Sequence, residues 1–205
     1  MPARFGLPLA ACLWSLAPGP ADAADCVTAD QVRSGLRVDY QDGGRVLVRL
    51  MPNGLVELRE IGSAEGGGDL HFVSRFGIYD LEASLADDGE AAADHRVIYD
   101  YGGLPLLEPM VGGTGWVGPV TASFPDGEVE TQTAAYVFGA GETVALAGCS
   151  YDAVAVEATF LREGGWEGQR FLFFPALEFA VLVGRSGPDR DKAAFGIAAI
   201  SPVKG

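Results

Sequence analysis

Short segments of alternating apolar and polar residues, each closed by a Pro, Gly, Asn or Asp turn, constrain this chain more than any other feature. In Arg45 to Met51, Val46, Val48 and Leu50 face one way while Arg45, Leu47 and Arg49 face the other. A period of two is the signature of a strand with one buried face. Leu36 to Tyr40 pairs with this segment across Asp42-Gly43-Gly44, a hairpin signal, and Pro52-Asn53-Gly54 turns the chain into Leu55 to Ile61. Further strands are predicted around Leu70–Ser74 and Ile78–Ser84, and over His95–Tyr101, where Val97, Tyr99 and Tyr101 share a face. Later, Val154, Val156 and Phe160 alternate with Ala155, Glu157 and Thr159; Leu177, Phe179, Val181 and Val183 share a face; Phe195 to Ile200 reads as the last strand. Phe171-Leu172-Phe173-Phe174 is apolar on both sides, which predicts a central strand covered on both faces. Ala86–Asp94 reads as an acidic connector, Gly102–Gly115 as the longest irregular loop and Ser186–Lys192 as a charged turn. The spacing Thr28-Ala29-Asp30-Gln31 predicts a capping box and a helix of one or two turns, stopped at Ser34-Gly35. The expected fold class is mainly β: antiparallel hairpins forming a curved sheet, half-barrel or sandwich, with one short N-terminal helix.

The N-terminus reads as an export signal. Arg4 supplies a positive start, Phe5 to Ala17 is an apolar run, and Ala21-Asp22-Ala23 has the small-x-small pattern of a cleavage site. The run is shorter than the roughly 20 residues needed to cross a bilayer, and no later stretch could span as a helix. Residues 1–23 are therefore expected to be removed near Ala23/Ala24, leaving 24–205 as a single β-rich domain in the periplasm or secreted. Leu9-Ala10-Ala11-Cys12 offers a rival lipobox with Cys12 as a lipidated N-terminus, but it leaves only Phe5–Ala11 as the apolar region. About 180 residues remain, enough for a real core. Cleavage removes Arg4 and Asp22 together, so the formal charge stays at −14. Such a field repels nucleic acid and anionic membrane surfaces, which need Lys/Arg clusters; solubility or a cationic partner accounts for it. Cys26 and Cys149 survive, and an even pair in an oxidising compartment predicts a disulfide.

One hairpin design recurs. Gly115-Trp116-Val117-Gly118 matches Gly165-Trp166-Glu167-Gly168, with Phe124-Pro125 and Phe174-Pro175 following at the same offset. Met51-Pro52-Asn53-Gly54 aligns with Phe124-Pro125-Asp126-Gly127, whereas Pro175-Ala176-Leu177-Glu178 lacks the Gly. Proline presets φ at the second turn position, and Asn-Gly or Asp-Gly tolerates the positive φ beyond it.

No catalytic motif stands out. His71 and His95 lie in separate predicted strands, and a zinc site would need more nitrogen or sulfur ligands. His95 sits beside Asp94, yet no serine occupies a nucleophile elbow; both histidines read as surface or strand-end residues. Asp87-Asp88-Gly89-Glu90 and Asp189-Arg190-Asp191 hint at calcium without the full ligand ladder, and read as solvated loops. No metal or cofactor is expected. The aromatics of the last hairpins point instead to an apolar pocket, with Trp116, Trp166, Phe124 and Phe174 as ligand-binding candidates.

This layout (signal peptide, short helix, curved run of Gly-Trp-x-Gly/Phe-Pro hairpins) resembles the half-barrel folds of exported bacterial envelope proteins, the lipoprotein carriers among them. The resemblance implies a non-enzymatic binding or structural envelope protein whose partner is an apolar small molecule, a lipid or another envelope protein. The competing expectation is a hydrolase of an envelope polymer that uses paired carboxylates in a cleft.

Overall fold

Among the described residues fourteen strands form, most of them where the sequence alternates. They are β1 (Leu36–Tyr40), β2 (Arg45–Leu50), β3 (Val56–Glu60), β4 (Asp69–Arg75), β5 (Tyr79–Asp87), β6 (Glu90–Ala91) and β7 (Val97–Asp100) in the first half. β8 (Gly115–Ser123), β9 (Val129–Leu146), β10 (Cys149–Arg162), β11 (Gly165–Phe174), β12 (Phe179–Gly187), β13 (Arg190–Ala194) and β14 (Ile197–Pro202) complete the chain. The structure is a computed structural model that describes residues 26–63, 68–87, 90–102, 112–188 and 190–203. The expected signal peptide and Cys12 lie outside the described residues, as do parts of the Gly102–Gly115 loop and of both acidic loops.

Thirteen strands follow one another in a single antiparallel sheet, β13-β12-β11-β10-β9-β8-β7-β5-β4-β3-β2-β1-β14, and β6 pairs only with β5. The sheet is curved and not closed. Among the described residues no ladder joins β13 to β14, although they are consecutive in the chain. The Phe195 N–H donates to the Val183 carbonyl on β12, while the Gln41 N–H next to β1 donates to the Gly196 carbonyl. The run 190–202 thus leans on one end of the sheet with its first half and on the other end with its second.

Curling brings distant turns into contact. At the β4–β5 turn, Phe76 and Gly77 both adopt positive φ, 58° and 69°. The Phe76 carbonyl there accepts a 2.7 Å bond from the Ala180 N–H of β12. A Cβ on Gly77 would lie 2.5 Å from the Ala180 carbonyl oxygen. Gly77→Ala is therefore expected to destabilise the protein by about 2–3 kcal/mol, from left-handed strain and the lost backbone bond together. Urea denaturation measures this, and a loss below about 0.5 kcal/mol would show that the two halves do not depend on this junction.

Two apolar clusters fill the interior. The first joins Leu36, Val38, Val46 and Val48 to Phe174, Phe179 and Val181. The helix α1 (Ala29–Ser34) covers it with Val32, which is fully buried. As the capping spacing requires, the Thr28 N–H donates to Gln31 Oε1 at 2.9 Å, and the helix stops at Gly35, φ 106°. Cys26 and Cys149 form the expected disulfide, with Cα atoms 5.5 Å apart. The second cluster joins Ile78 and Tyr79 to Tyr101, Val120, Tyr136, Phe138 and Phe171. β9, at 18 residues the longest strand, begins where the Pro125 turn of the recurring hairpin implies a strand and runs on far beyond it. A register shift opposite Val154 and Val156 bends the β9–β10 pair, so that Val144, Leu146 and Tyr151 pack on the first cluster.

The recurring turns share chemistry more than position. Around Pro52 and Pro125 the bonding is the same: Met51 N–H to Leu55 O and Gly54 N–H to Met51 O, against Phe124 N–H to Glu128 O and Gly127 N–H to Phe124 O. Asn53 and Asp126 each accept from the backbone two residues on. The Pro175 copy is instead a 3-10 turn with Glu178 in the left-handed region. Following the antiparallel order, the turns at 52–54 and 175–177 fall on one rim of the sheet and that at 125–127 on the other.

Candidate functional site

The curled sheet encloses a solvent-open cavity of about 190 Å³ between β5 and β7 on one side and β8 to β11 on the other. Its floor is aromatic because the inward positions of the surrounding strands are. Ile78, Tyr101 and Tyr136 are buried there, and the Tyr101 and Tyr136 hydroxyls lie 3.3 Å apart. Trp116 packs behind them at a tilt, its ring 6.1 Å from Tyr101 and 5.9 Å from Tyr136. Phe160 meets Tyr136 edge-on at 5.9 Å. Burial holds the Tyr101 and Tyr136 phenols well above their ordinary pKa, so they act as neutral hydroxyls.

The walls are polar. Asp80, Glu130, Gln132, Arg162, Glu167 and Gln169 all line the cavity. Asp80 takes the inward position two residues after Ile78, where alternation would place an apolar side chain. Burial pushes its carboxyl up to about 7; the Ser74 hydroxyl and Arg185 oppose this and Glu60 adds to it. Asp80 and Gln169 also line a second, smaller cavity of about 60 Å³ bounded by Glu60, Phe72, Phe171 and Arg185. Arg185 Nη2 lies 4.0 Å from Glu60 Oε1. Its charge is therefore shared with Glu60 as well as Asp80.

Of the four aromatic candidates, Phe124 lines the cavity and Trp116 supports its floor. Trp166 is 41% exposed and lies beside a different depression, with Glu157, Thr159 and Arg170. Phe174 is buried in the first cluster, 5.6 Å from Phe179. The structure thus places Phe124 at the cavity and Trp116 behind its floor, at opposite ends of β8, and sets Trp166 and Phe174 elsewhere. Parity explains the split. On β8, Trp116 shares a face with buried Val120 and Ala122, whereas on β11 the buried Phe171 and Phe173 have the opposite parity to Trp166. The Gly-Trp-x-Gly motif itself has a local meaning in both copies. A Cβ on Gly118 would overlap the Trp116 ring, and one on Gly168 would overlap the Ser186 hydroxyl and press on Trp166, so each glycine makes room for its own indole.

The histidines stand apart from the cavity. His71 is buried within β4 rather than at a surface or strand end, because its Nε2 pairs with Glu57 Oε1 at 2.9 Å from the adjoining strand. His95 closes a 3-10 turn (Ala93–His95) instead of a strand, its Nδ1 3.1 Å from Asp94 Oδ1. Among the described residues no three His, Cys, Asp or Glu side chains converge as a metal site. No helix among them is long and apolar enough to cross a membrane.

No protein-family model and no curated protein matches the sequence. Among solved structures, the hypothetical lipoprotein YmcC from Escherichia coli (K12) is similar at 14% identity and a TM-score of 0.44, over 88% of this chain and 90% of that one.

Proposed function

We propose that this chain is an exported envelope protein that binds a small ligand inside its curled sheet without transforming it. The single observation that carries the reading is the cavity, which joins an aromatic floor to a few convergent polar groups in the manner of small-molecule sites. Export is supported by the N-terminal pattern of residues 4–23 and by the disulfide, a bond that persists in oxidising compartments. At about 190 Å³ the cavity is smaller than the roughly 300 Å³ at which drug-sized pockets begin. The occupant is therefore a small molecule, or one end of a longer one, rather than a whole acyl chain. Mass spectrometry of compounds released on denaturing the purified protein is expected to find a retained small molecule. Ala122→Leu, which intrudes on the cavity wall, is expected to lose it while keeping the far-UV spectrum. Retention unchanged in that variant, or nothing retained by the native protein, counts against the reading.

A second reading has its own observation. Asp80, raised to about 7, shares its cavity with Glu130 and Glu167. A carboxyl held protonated beside other carboxyl groups is the arrangement from which glycoside hydrolysis draws its acid. Release of reducing ends from envelope polysaccharide, abolished by Asp80→Asn, would support it; no release by the native protein removes it.

A further inference from the structure

The cavity combines negative charge with aromatic faces. Asp80, Glu130 and Glu167 contribute three carboxyl groups, and Arg162 is the one base among the described residues that line it. Half-buried Tyr99 and Phe160 supply ring surface around them, with buried Tyr101 and Tyr136 packed behind. Ring faces carry the negative end of a quadrupole and attract cations, more strongly where water is displaced. An anion in this cavity would meet three carboxyl groups, and a neutral ligand would desolvate them without a countercharge. We propose that the cavity binds a small organic ammonium ion; this rests on the reading that the cavity holds a ligand at all.

Asp80 makes the site responsive to pH. Glu60 on β3 and Arg185 on β12 face it from one side, and Ser74 on β4 lies against it. It is also faced by Tyr99 on β7, by Tyr101 just beyond that strand and by Tyr136 on β9. Glu130, Arg162 and Glu167 share the cavity on β9, β10 and β11. Burial holds Asp80 protonated below about pH 7, and an arriving ammonium ion favours the ionised form. Binding therefore releases a proton below that pH. Affinity rises by at most about tenfold per pH unit up to about 7 and then levels off.

The test is calorimetric titration of the native protein with choline and with 3,3-dimethylbutan-1-ol, its uncharged isostere, at about pH 5.5 and about pH 8. Choline is expected to bind at the higher pH and about tenfold or more weakly at the lower, and the isostere about tenfold or more weakly than choline at the higher pH, with the gap narrowing at the lower. Asp80→Asn is expected to lower choline affinity about tenfold and to abolish its pH dependence. Equal binding of the isostere at the higher pH overturns the ammonium assignment and leaves the cavity a ligand site. The same follows if choline fails to bind while the protein retains a neutral or anionic compound. If neither probe binds and nothing is retained, both readings fall.

Discussion

Replacing Cys26 and Cys149 together by serine will lower the unfolding free energy by about 4–5 kcal/mol, the largest single effect expected in this protein. The bridge spans 123 residues of chain, and closing so long a loop removes more entropy from the unfolded ensemble than any short cross-link could. It also acts locally. Cys26 directly precedes α1, Cys149 opens β10, and the Val27 N–H between them and the helix donates to the Tyr151 hydroxyl at 3.2 Å. A helix of six residues is far below the length that holds itself together. Without the tether, the burial of Val27 and Val32, the Val27–Tyr151 bond and the bond from the Val203 N–H to the Gly35 carbonyl hold it over the first cluster. Thermal unfolding should fall by about 10–20 °C in the double variant, and by a similar amount in reductant. A change below about 1 kcal/mol would show that packing alone seats the N-terminal helix.

Asp80→Asn should have the opposite sign. The carboxyl rises from the ordinary 3.8 to about 7 in the folded protein, chiefly through burial. Between those values the folded state binds the proton and the unfolded state does not. Stability is therefore greatest below about pH 4, is lost as the pH climbs toward 7, and is flat above it. Roughly 1.4 kcal/mol per unit applies to a fully shielded group. Asp80 keeps some contact with solvent at the cavity, which brings the expected gain for Asn at about pH 8 to about 2–4 kcal/mol. Urea denaturation at about pH 5 and about pH 8 measures it: the native protein should be weaker at the higher pH and the variant equally stable at both. A native protein that is equally stable at the two values would show that Asp80 is solvated like any surface aspartate. Together with the titrations, this separates a carboxylate kept under strain for a ligand from one that merely tolerates its place.

How far the sequence went depended on whether the signal was local. The β2–β3 hairpin was readable in full, since Val46, Val48 and Leu50 alternate and Pro52-Asn53-Gly54 dictates its own turn. β9 was not. Ala134, Tyr136 and Phe138 do alternate with Thr133, Ala135 and Val137, but small residues carry half of the pattern and weaken its contrast. In the structure Ala134 and Tyr136 are nevertheless buried, because the sheet curls over them. His71 read as peripheral because nothing nearby announces Glu57, fourteen residues earlier; register makes that pair.

The site follows the same division. Phe124 and Trp116 were visible as large aromatics in glycine-flanked hairpins, and the tryptophan seats on Gly118 and Gly168 are consequences of the motif alone. Asp80 carried one faint sign, a charged residue at the inward parity set by Ile78, and Glu130 and Glu167 carried none among so many acids.

By itself, the sequence determined most of the strands, their turns and the capped helix, because alternation, turn chemistry and capping act between residues a few positions apart. The cysteine pairing also followed from it, given the export signal and only two candidates. The tertiary structure alone decided which face of each strand looks inward, that Gly77 meets Ala180 across the interior, and which acids share the cavity. Those outcomes depend on register, bulges and curl summed over thirteen neighbouring strands. A shift of one residue anywhere in that sum exchanges the two faces of a strand.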